Sequence, residues 1–205
     1  MIEIMRLHLF MGFVAALALG LAASALETGQ HAPAFKTVDW KGNPIELAQF
    51  QGRKNVLLVF SRYISCAWCQ MFIIDLHKNR AEIEKTNTEV LIVVNSMPEV
   101  VKEYQPPRDF AFDLLPDKDM NLYRLYGVKL EDRRMTGNVF WQTLRFVRYL
   151  GNYNYVKGGL EGDHYQPPAC FIIGLDGRVK WQHLGRDVAD NPKVDEVLGE
   201  LKKLK

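Results

Sequence analysis

The stretch LLVFSRYISCAWCQMFIIDLHKNR, residues 57–80, joins a predicted strand to a predicted helix and carries Cys66 and Cys69 at the junction. The preceding run NVLLVFS, residues 55–61, is mainly apolar and of strand length, which is typical of a strand covered on both faces. After Cys69, apolar residues recur at helical spacing with charged residues between them, and these apolar residues are Phe72, Ile73, Leu76 and Ile83. The two cysteines are therefore expected at the start of a helix that packs by one face.

Two cysteines at a helix start favour redox chemistry. Unpaired backbone N–H groups and the positive end of the helix macrodipole lower the pKa of a thiol in the first turn, so its thiolate is nucleophilic near neutral pH. The C-x-x-C spacing lets the second thiol attack a mixed disulfide formed by the first, which completes a thiol–disulfide exchange. The alternative interpretation is a pair of inert buried thiols.

A metal centre is not predicted. A structural zinc site needs about four ligands, commonly supplied by a second C-x-x-C or a histidine pair. Beyond the pair, the candidate ligands stand apart from one another in the sequence: His77, His164, His183 and Cys170. A non-enzymatic chaperone that holds Cu(I) between two soft thiolates stays open, with Met71 as the nearest further sulfur ligand. No cofactor is expected.

The rest of the chain alternates strands and helices. The predicted elements are a short strand near residues 35–38, a buried strand at 89–96, a helix at 97–104 capped by Ser96, a shorter helix within 119–128, a hairpin at 169–183 that turns at Asp176-Gly177, and an amphipathic helix at 193–204. This order indicates an α/β fold with a mixed central β-sheet and flanking helices. It is also the element order of thioredoxin.

The first 25 residues have the pattern of a secretory signal peptide. A short polar start carrying Arg6 precedes an apolar run at about residues 9–22, and Ala23-Ser24-Ala25 forms an A-x-A cleavage site. We therefore expect an exported protein, periplasmic or extracellular, with a mature domain at residues 26–205 and membrane contact only through an uncleaved N-terminal segment. The three cysteines would then meet an oxidising compartment. The net charge of +2 is too small to indicate a nucleic-acid partner.

Four stretches together resemble the AhpC/TSA superfamily of redoxins, in particular a peroxiredoxin-like branch that carries a C-x-x-C motif. They are GQHAPAF, LLVFSRYISCAWCQM, PPACFIIGLDGRV and GRDVADNPKVDEVL. The resemblance covers about residues 29–203 and implies a thioredoxin-like fold. Residues 129–166 fit it least well and are interpreted as a helical insertion before the C-terminal hairpin. Its aromatic, arginine-bearing part near residues 139–150 is expected to cap the sheet, with contact to a membrane surface or a partner as the alternative.

The resemblance also implies which residues line a substrate groove. Pro168 occupies the place of a proline that is cis in thioredoxin folds and packs against the redox pair, so a cis peptide bond is expected there. Arg62 and Trp68 flank the pair, and Arg62 either lowers the pKa of Cys66 or only solvates the rim. Cys170 is a candidate third thiol, with core packing as the alternative.

The chain departs from the usual peroxidase motif Pro-x-x-x-Thr-x-x-Cys. If Cys69 takes the peroxidatic position, Arg62 replaces the proline and Cys66 replaces the threonine. If Cys66 takes it, Val59 and Tyr63 stand there instead. We therefore expect a thiol–disulfide oxidoreductase in which Cys66 attacks and Cys69 resolves, with a peroxiredoxin-like thiol peroxidase as the alternative. The expected partners are a protein disulfide or a peroxide as substrate, together with a thiol reductant or oxidant that recycles the pair.

Overall fold

The computed structural model of the protein describes residues 26–104, 112–128 and 165–204, together with residues 144, 147, 162 and 163. The predicted signal peptide and most of the predicted insertion lie outside the described residues. Within the described part of the chain, no helix is both long enough and apolar enough to cross a membrane.

A five-stranded mixed sheet forms the centre of the fold, with strand order β5-β4-β3-β6-β7. Its strands are β3 (Asn55–Phe60), β4 (Thr88–Val94), β5 (Asp113–Pro116), β6 (Ala169–Ile173) and β7 (Val179–Leu184). Strands β3, β4 and β5 run parallel, whereas β6 is antiparallel to both β3 and β7. A separate antiparallel pair is made by β1 (Lys36–Val38) and β2 (Pro44–Glu46). The predicted α/β class with a mixed central sheet is confirmed.

The helices lie between and after these strands. They are α1 (Ala67–Lys78), α2 (Arg80–Glu84), α3 (Pro98–Tyr104), α4 (Asn121–Leu125) and α5 (Val194–Lys202), with a 3-10 turn at Leu47–Gln49. The single helix expected from Cys69 through Ile83 is instead two helices that divide at Asn79. Its side-chain amide donates to the Asp75 carbonyl at 2.9 Å, and its backbone N–H also bonds back into α1. This capping ends α1 before the second helix begins.

Both faces of β3 are covered, as its apolar run predicted. Val56, Leu58 and Phe60 point into one apolar cluster, which also contains aromatic rings from α4 and β6. Leu57 and Val59 alternate to the opposite face, where they meet the buried residues of α1 and α5. Since every residue of β3 is buried, this strand anchors both layers of the domain.

One edge of the sheet positions the cysteine-bearing loop. The carboxyl end of β3 lies beside the carboxyl end of β4 and the amino end of β6, because Phe60 is in register with both Val93 and Ala169. Residues 61–66 leave the sheet at this edge and enter α1. Open α/β sheets commonly bind ligands beyond the carboxyl ends of their parallel strands, so the topology places this loop where chemistry is expected.

Three hydrogen bonds hold the loop against its neighbours. The Ser96 hydroxyl accepts the Ile64 N–H at 2.9 Å, the Gln70 amide donates to the Ile64 carbonyl at 3.0 Å, and the Tyr123 hydroxyl donates to the Ser61 carbonyl. Ser96 was expected to cap α3, but that helix begins only at Pro98 and the serine side chain is turned toward the loop. The loop is thus fixed at once from the segment that follows β4, from α1 and from α4.

Candidate active site at the start of helix α1

Cys66 and Cys69 lie where the sequence placed them, at the amino end of α1. Cys66 is the N-cap residue, with an extended backbone (φ −68°, ψ 116°), and its sulfur accepts the Cys69 N–H at 3.3 Å. The two Sγ atoms are 2.6 Å apart, and both residues are free thiols that are only 2% exposed. The pair is therefore close enough to form a disulfide with little movement of the backbone.

Arg62 supplies a buried positive charge to this pair. Its Nη2 atom donates to Cys66 Sγ at 3.0 Å, and the residue is 2% exposed. The Tyr63 and Trp68 rings lie 5.6 and 5.4 Å from the guanidinium carbon, within the range of cation–π attraction. We call Arg62 with these two rings the Arg62 clamp. From the sequence, Arg62 either lowers the pKa of Cys66 or only solvates the rim of the site. Its contact with the Cys66 sulfur favours an electrostatic effect on the pair.

The electrostatics of the site keep one negative charge on the pair. Burial raises the pKa of Cys66 well above its ordinary value, and the hydrogen bond to Cys69 acts in the same direction. Burial would also raise the pKa of Cys69, but the hydrogen bond from Cys66 and the charge of Arg62 outweigh it and lower the pKa to about 5. At neutral pH the pair therefore shares one proton and carries one negative charge, with the pKa of Cys69 lowered and that of Cys66 raised.

Arg62 stays charged in this surrounding. Burial alone would lower the pKa of Arg62, but the adjacent sulfurs of Cys69 and Cys66 raise it above its ordinary value overall. A permanent cation next to a thiolate is the usual means by which proteins make a cysteine reactive.

The expectation of a cis bond at Pro168 is wrong, because the described residues contain no cis peptide bond. The Pro168 carbonyl accepts the Gly185 N–H at 2.8 Å, so the pairing of β6 with β7 extends one residue further and holds the backbone extended. The trans form is also the intrinsically favoured one for an X–Pro bond. Pro168 still lies at the correct edge, since the next residue, Ala169, pairs with Phe60 just before the cysteine-bearing loop.

Cys170 lies in the core. It is fully buried in the apolar cluster that β3 shares with α1 and α5, whereas Cys66 and Cys69 cluster with Tyr63 and Trp68. Burial raises the pKa of Cys170, and the Glu196 carboxylate adds to this effect. A thiol held neutral in this way is a weak nucleophile, so the placement favours the core-packing interpretation.

A shallow cleft lies along α1, and neither Cys66 nor Cys69 is among its lining residues. It runs between α1 and the segment that enters α5, and its lining residues are Trp68, Met71, Phe72, Asp75, Asn191, Pro192 and Val194.

Several residues that build the site were missed in the sequence. Tyr63, Gln70, Ser96 and Tyr123 hold either Arg62 or its loop, and each comes from a different part of the chain. A partial signal exists for Gln70, which is a polar residue on the buried side of an amphipathic helix. For Ser96 and Tyr123, the contacts depend on how distant segments pack together, which the sequence does not specify locally.

Comparison with known proteins agrees with this fold. Residues 28–182 match the AhpC/TSA family. The chain belongs to that family. The chain is 25% identical over 177 residues to peroxiredoxin Bcp of Escherichia coli. The aligned region covers 86% of this chain and 96% of the relative. The predicted class of enzyme, a peroxiredoxin-like oxidoreductase, is thereby confirmed.

Solved structures with the same fold come from two groups of redoxins. The peroxidoxin BcpB of Mycobacterium tuberculosis superposes with a TM-score of 0.64 at 16% identity, covering 88% of this chain and 99% of the other. A Chlorobium tepidum protein assigned as thiol:disulfide interchange protein DsbE superposes with a TM-score of 0.58 at 21% identity, covering 86% and 99%. These similarities confirm the thioredoxin-like fold.

The hydrogen bond from Cys66 to Cys69 gives a direct test of the site's electrostatics. In Cys66→Ser a hydroxyl can still donate to the Cys69 thiolate, whereas in Cys66→Ala the donor is lost. In the wild type, we expect the Cys69 thiolate to disappear as the pH falls through about 5. The ultraviolet absorbance of the thiolate and its alkylation rate both measure this loss. The midpoint should stay nearly as low in the serine variant and rise by roughly one unit or more in the alanine variant, since removing a donor to the charged form raises an acid's pKa. Equal midpoints in the two variants would show that Cys66 does not stabilise the thiolate.

Proposed function

We propose that the protein is an exported thiol–disulfide oxidoreductase whose Cys66 and Cys69 form a reversible disulfide. The observation that carries this proposal is the contact of two free sulfurs 2.6 Å apart at a helix start, with the Arg62 guanidinium 3.0 Å from one of them. A shared proton and a fixed cation are what a dithiol needs to exchange with a substrate disulfide at neutral pH. The fold it shares with a protein assigned to thiol:disulfide interchange supports this reaction class.

The two cysteines have different roles in the proposed exchange. Transfer of the shared proton from Cys66 to Cys69 moves the negative charge to the Cys66 sulfur, where Arg62 and the Cys69 N–H can both stabilise it. Cys66 then bonds to one sulfur of the substrate disulfide and the other substrate sulfur leaves. Cys69, once deprotonated, attacks Cys66 and releases the second substrate thiol. Trp68 packs against the pair and Pro168 lies at the adjoining edge of the sheet, and both are proposed to position the substrate chain.

Peroxide reduction is the second candidate, and the lowered pKa of Cys69 favours it specifically. In this reaction the Cys69 thiolate attacks one peroxide oxygen and the O–O bond breaks, which gives a sulfenic acid and an alcohol or water. The Cys66 thiol then condenses with the sulfenic acid to give the disulfide and water. Arg62 is the cation available to stabilise the departing oxygen. The named activity of the relative from Escherichia coli, a peroxiredoxin, is consistent with this step.

A Cu(I)-binding chaperone is less well supported by the site. The two sulfurs would have to bind a cation next to the buried guanidinium of Arg62, 3.0 Å from Cys66 Sγ. Like charges at such a distance in a buried site repel strongly. The charge that assists thiol chemistry thus opposes metal binding between the same sulfurs.

The two catalytic candidates are separated by parallel assays of insulin-disulfide turnover and peroxide consumption on the wild type, Cys66→Ser and Cys69→Ser. Disulfide exchange predicts that Cys66→Ser loses insulin turnover by at least a hundredfold, because the sulfur that bonds to the substrate is gone. Peroxide reduction predicts that Cys69→Ser loses peroxide consumption, while Cys66→Ser retains a single turnover that stops at the sulfenic acid. Cys170→Ser is the matched control and should leave both activities close to wild type. Insulin turnover that survives Cys66→Ser would contradict the assigned roles.

Export is proposed from the signal-like pattern of residues 1–25. The test is to express the full chain in a bacterial host and to measure the intact mass of the protein in the periplasmic fraction. We expect a mature chain that begins at Leu26. A full-length chain recovered only from the cytosol would contradict export. Ala25→Phe is the control variant, since a bulky residue at the cleavage site should block processing without changing the folded domain.

A further inference from the structure

An open cavity lies at the end of the sheet opposite the cysteine pair. Its floor is made by Val56 and Ile173, which are paired across β3 and β6, together with Leu47 and Phe50. All four side chains belong to the buried apolar cluster on this face of the sheet. Because Val56 and Phe60 are four residues apart on β3, the cavity lies about 13 Å along the strand from the start of the cysteine-bearing loop. A small ligand held here would not contact the redox pair.

Small residues form the sides of the cavity and keep it open. They are Ala32, Ala34, Ala48, Gly174 and Gly177, and they come from the N-terminal segment, the 3-10 turn and the turn between β6 and β7. The space between and in front of these walls is about 450 Å³. Since this space includes the open mouth, the walled part accepts only a short apolar chain.

Three polar side chains stand at the mouth of the cavity: His31, Gln51 and Lys54. A Cβ atom placed at Gly177 would lie 3.4 Å from Gln51 Nε2 and 3.8 Å from His31 Nδ1, so these two side chains approach the same point. All three are exposed, and each can turn a nitrogen toward a ligand that fills the cavity. The cavity thus has an apolar floor and a nitrogen-rich mouth.

The charge at the mouth favours an anion. No lining residue is acidic. Lys54 Nζ pairs with Glu89 Oε2 at 2.6 Å, but an ammonium has three N–H donors and can bond a second acceptor. On the other side, the Arg178 guanidinium donates to the Gly29 carbonyl at 2.8 Å and adds positive charge near His31. A ligand with one negative head group and a short apolar body matches this arrangement.

We propose that this cavity binds a short-chain carboxylate. Its carboxylate accepts hydrogen bonds from Lys54 and Gln51, and its methylene chain covers the apolar floor. The hydrogen bond from an ammonium to a carboxylate is charge-assisted, and the chain gains free energy because its methylenes leave water. This binding does not depend on the thiol chemistry proposed above, since no lining residue of the cavity belongs to that site.

The first test is a titration of the protein with straight-chain carboxylates from acetate to decanoate, followed by backbone amide NMR shifts. We expect the largest shifts at Gly174 and Gly177 and none at Cys66 or Cys69. Affinity should rise about fourfold for each methylene that enters the cavity, and it should level off near hexanoate, where the chain reaches the floor. Uncharged hexanamide should bind at least threefold more weakly than hexanoate.

Three outcomes of this titration would overturn the inference. Shifts that are absent at Gly174 and Gly177, or that occur only elsewhere, would contradict the site. Equal affinity for hexanamide and hexanoate would contradict the anionic head group. Affinity that continues to rise through decanoate would indicate a long acyl chain, as in a lipid, and would contradict the short-chain ligand.

The second test uses variants at exposed or half-buried positions, where substitution leaves the core intact. Lys54→Met removes the ammonium and should weaken hexanoate binding at least threefold. Glu89→Gln breaks the same ion pair but keeps Lys54, so its affinity should equal or exceed that of the wild type. Lys36→Met is the matched control, because Lys36 is also an exposed lysine paired with a glutamate, Glu46, at 3.0 Å and does not line the cavity. Wild-type affinity in Lys54→Met, or an equal loss in Lys36→Met, would overturn the assigned contact.

Discussion

The contact between a buried guanidinium and a pair of thiols is the interaction on which the rest of the site depends. Arg62 reaches Cys66 only because the loop after β3 turns back over the amino end of α1. That turn is held by side chains from the segment after β4, from α1 and from α4. These elements pack around β3, which is covered on both faces. A buried guanidinium without a partner would destabilise the fold, and a neighbouring thiolate offsets this cost. The contact that makes the thiol pair reactive therefore also stabilises the buried arginine.

The reactive pair and the sheet that carries it could be predicted from the sequence because their signals are local. An apolar run followed by helical spacing identifies β3 and α1, and the C-x-x-C falls at their junction. Strand β5 was missed because it is a four-residue edge strand, Asp113–Pro116, with polar and proline ends. The division of the helix at Asn79 was missed because an asparagine side chain that bonds its own helix carries no periodic signal. The expected cis Pro168 was wrong because it came from family resemblance, whereas the pairing with Gly185 sets the local backbone.

The Arg62 clamp shows why residue roles are harder to predict than elements. Tyr63 and Trp68 are ordinary aromatic residues in the sequence, and only the turn from loop to helix brings both rings beside one guanidinium. If Cys69 takes the peroxidatic position of the usual family motif, Arg62 stands in place of its proline and Cys66 in place of its threonine. In that alignment the chain keeps the family fold and carries a cation and a second thiol close to Cys69.

The central claim is that Cys66 and Cys69 act together as one redox pair while Cys170 takes no part. The most direct measurement is peptide mass mapping after the reduced protein is treated with one equivalent of hydrogen peroxide, with free thiols alkylated before and after unfolding. We expect a single disulfide that joins Cys66 to Cys69, and a Cys170 thiol that is alkylated only after unfolding. A disulfide that includes Cys170, or sulfinic acid on Cys69 with no disulfide to Cys66, would contradict it.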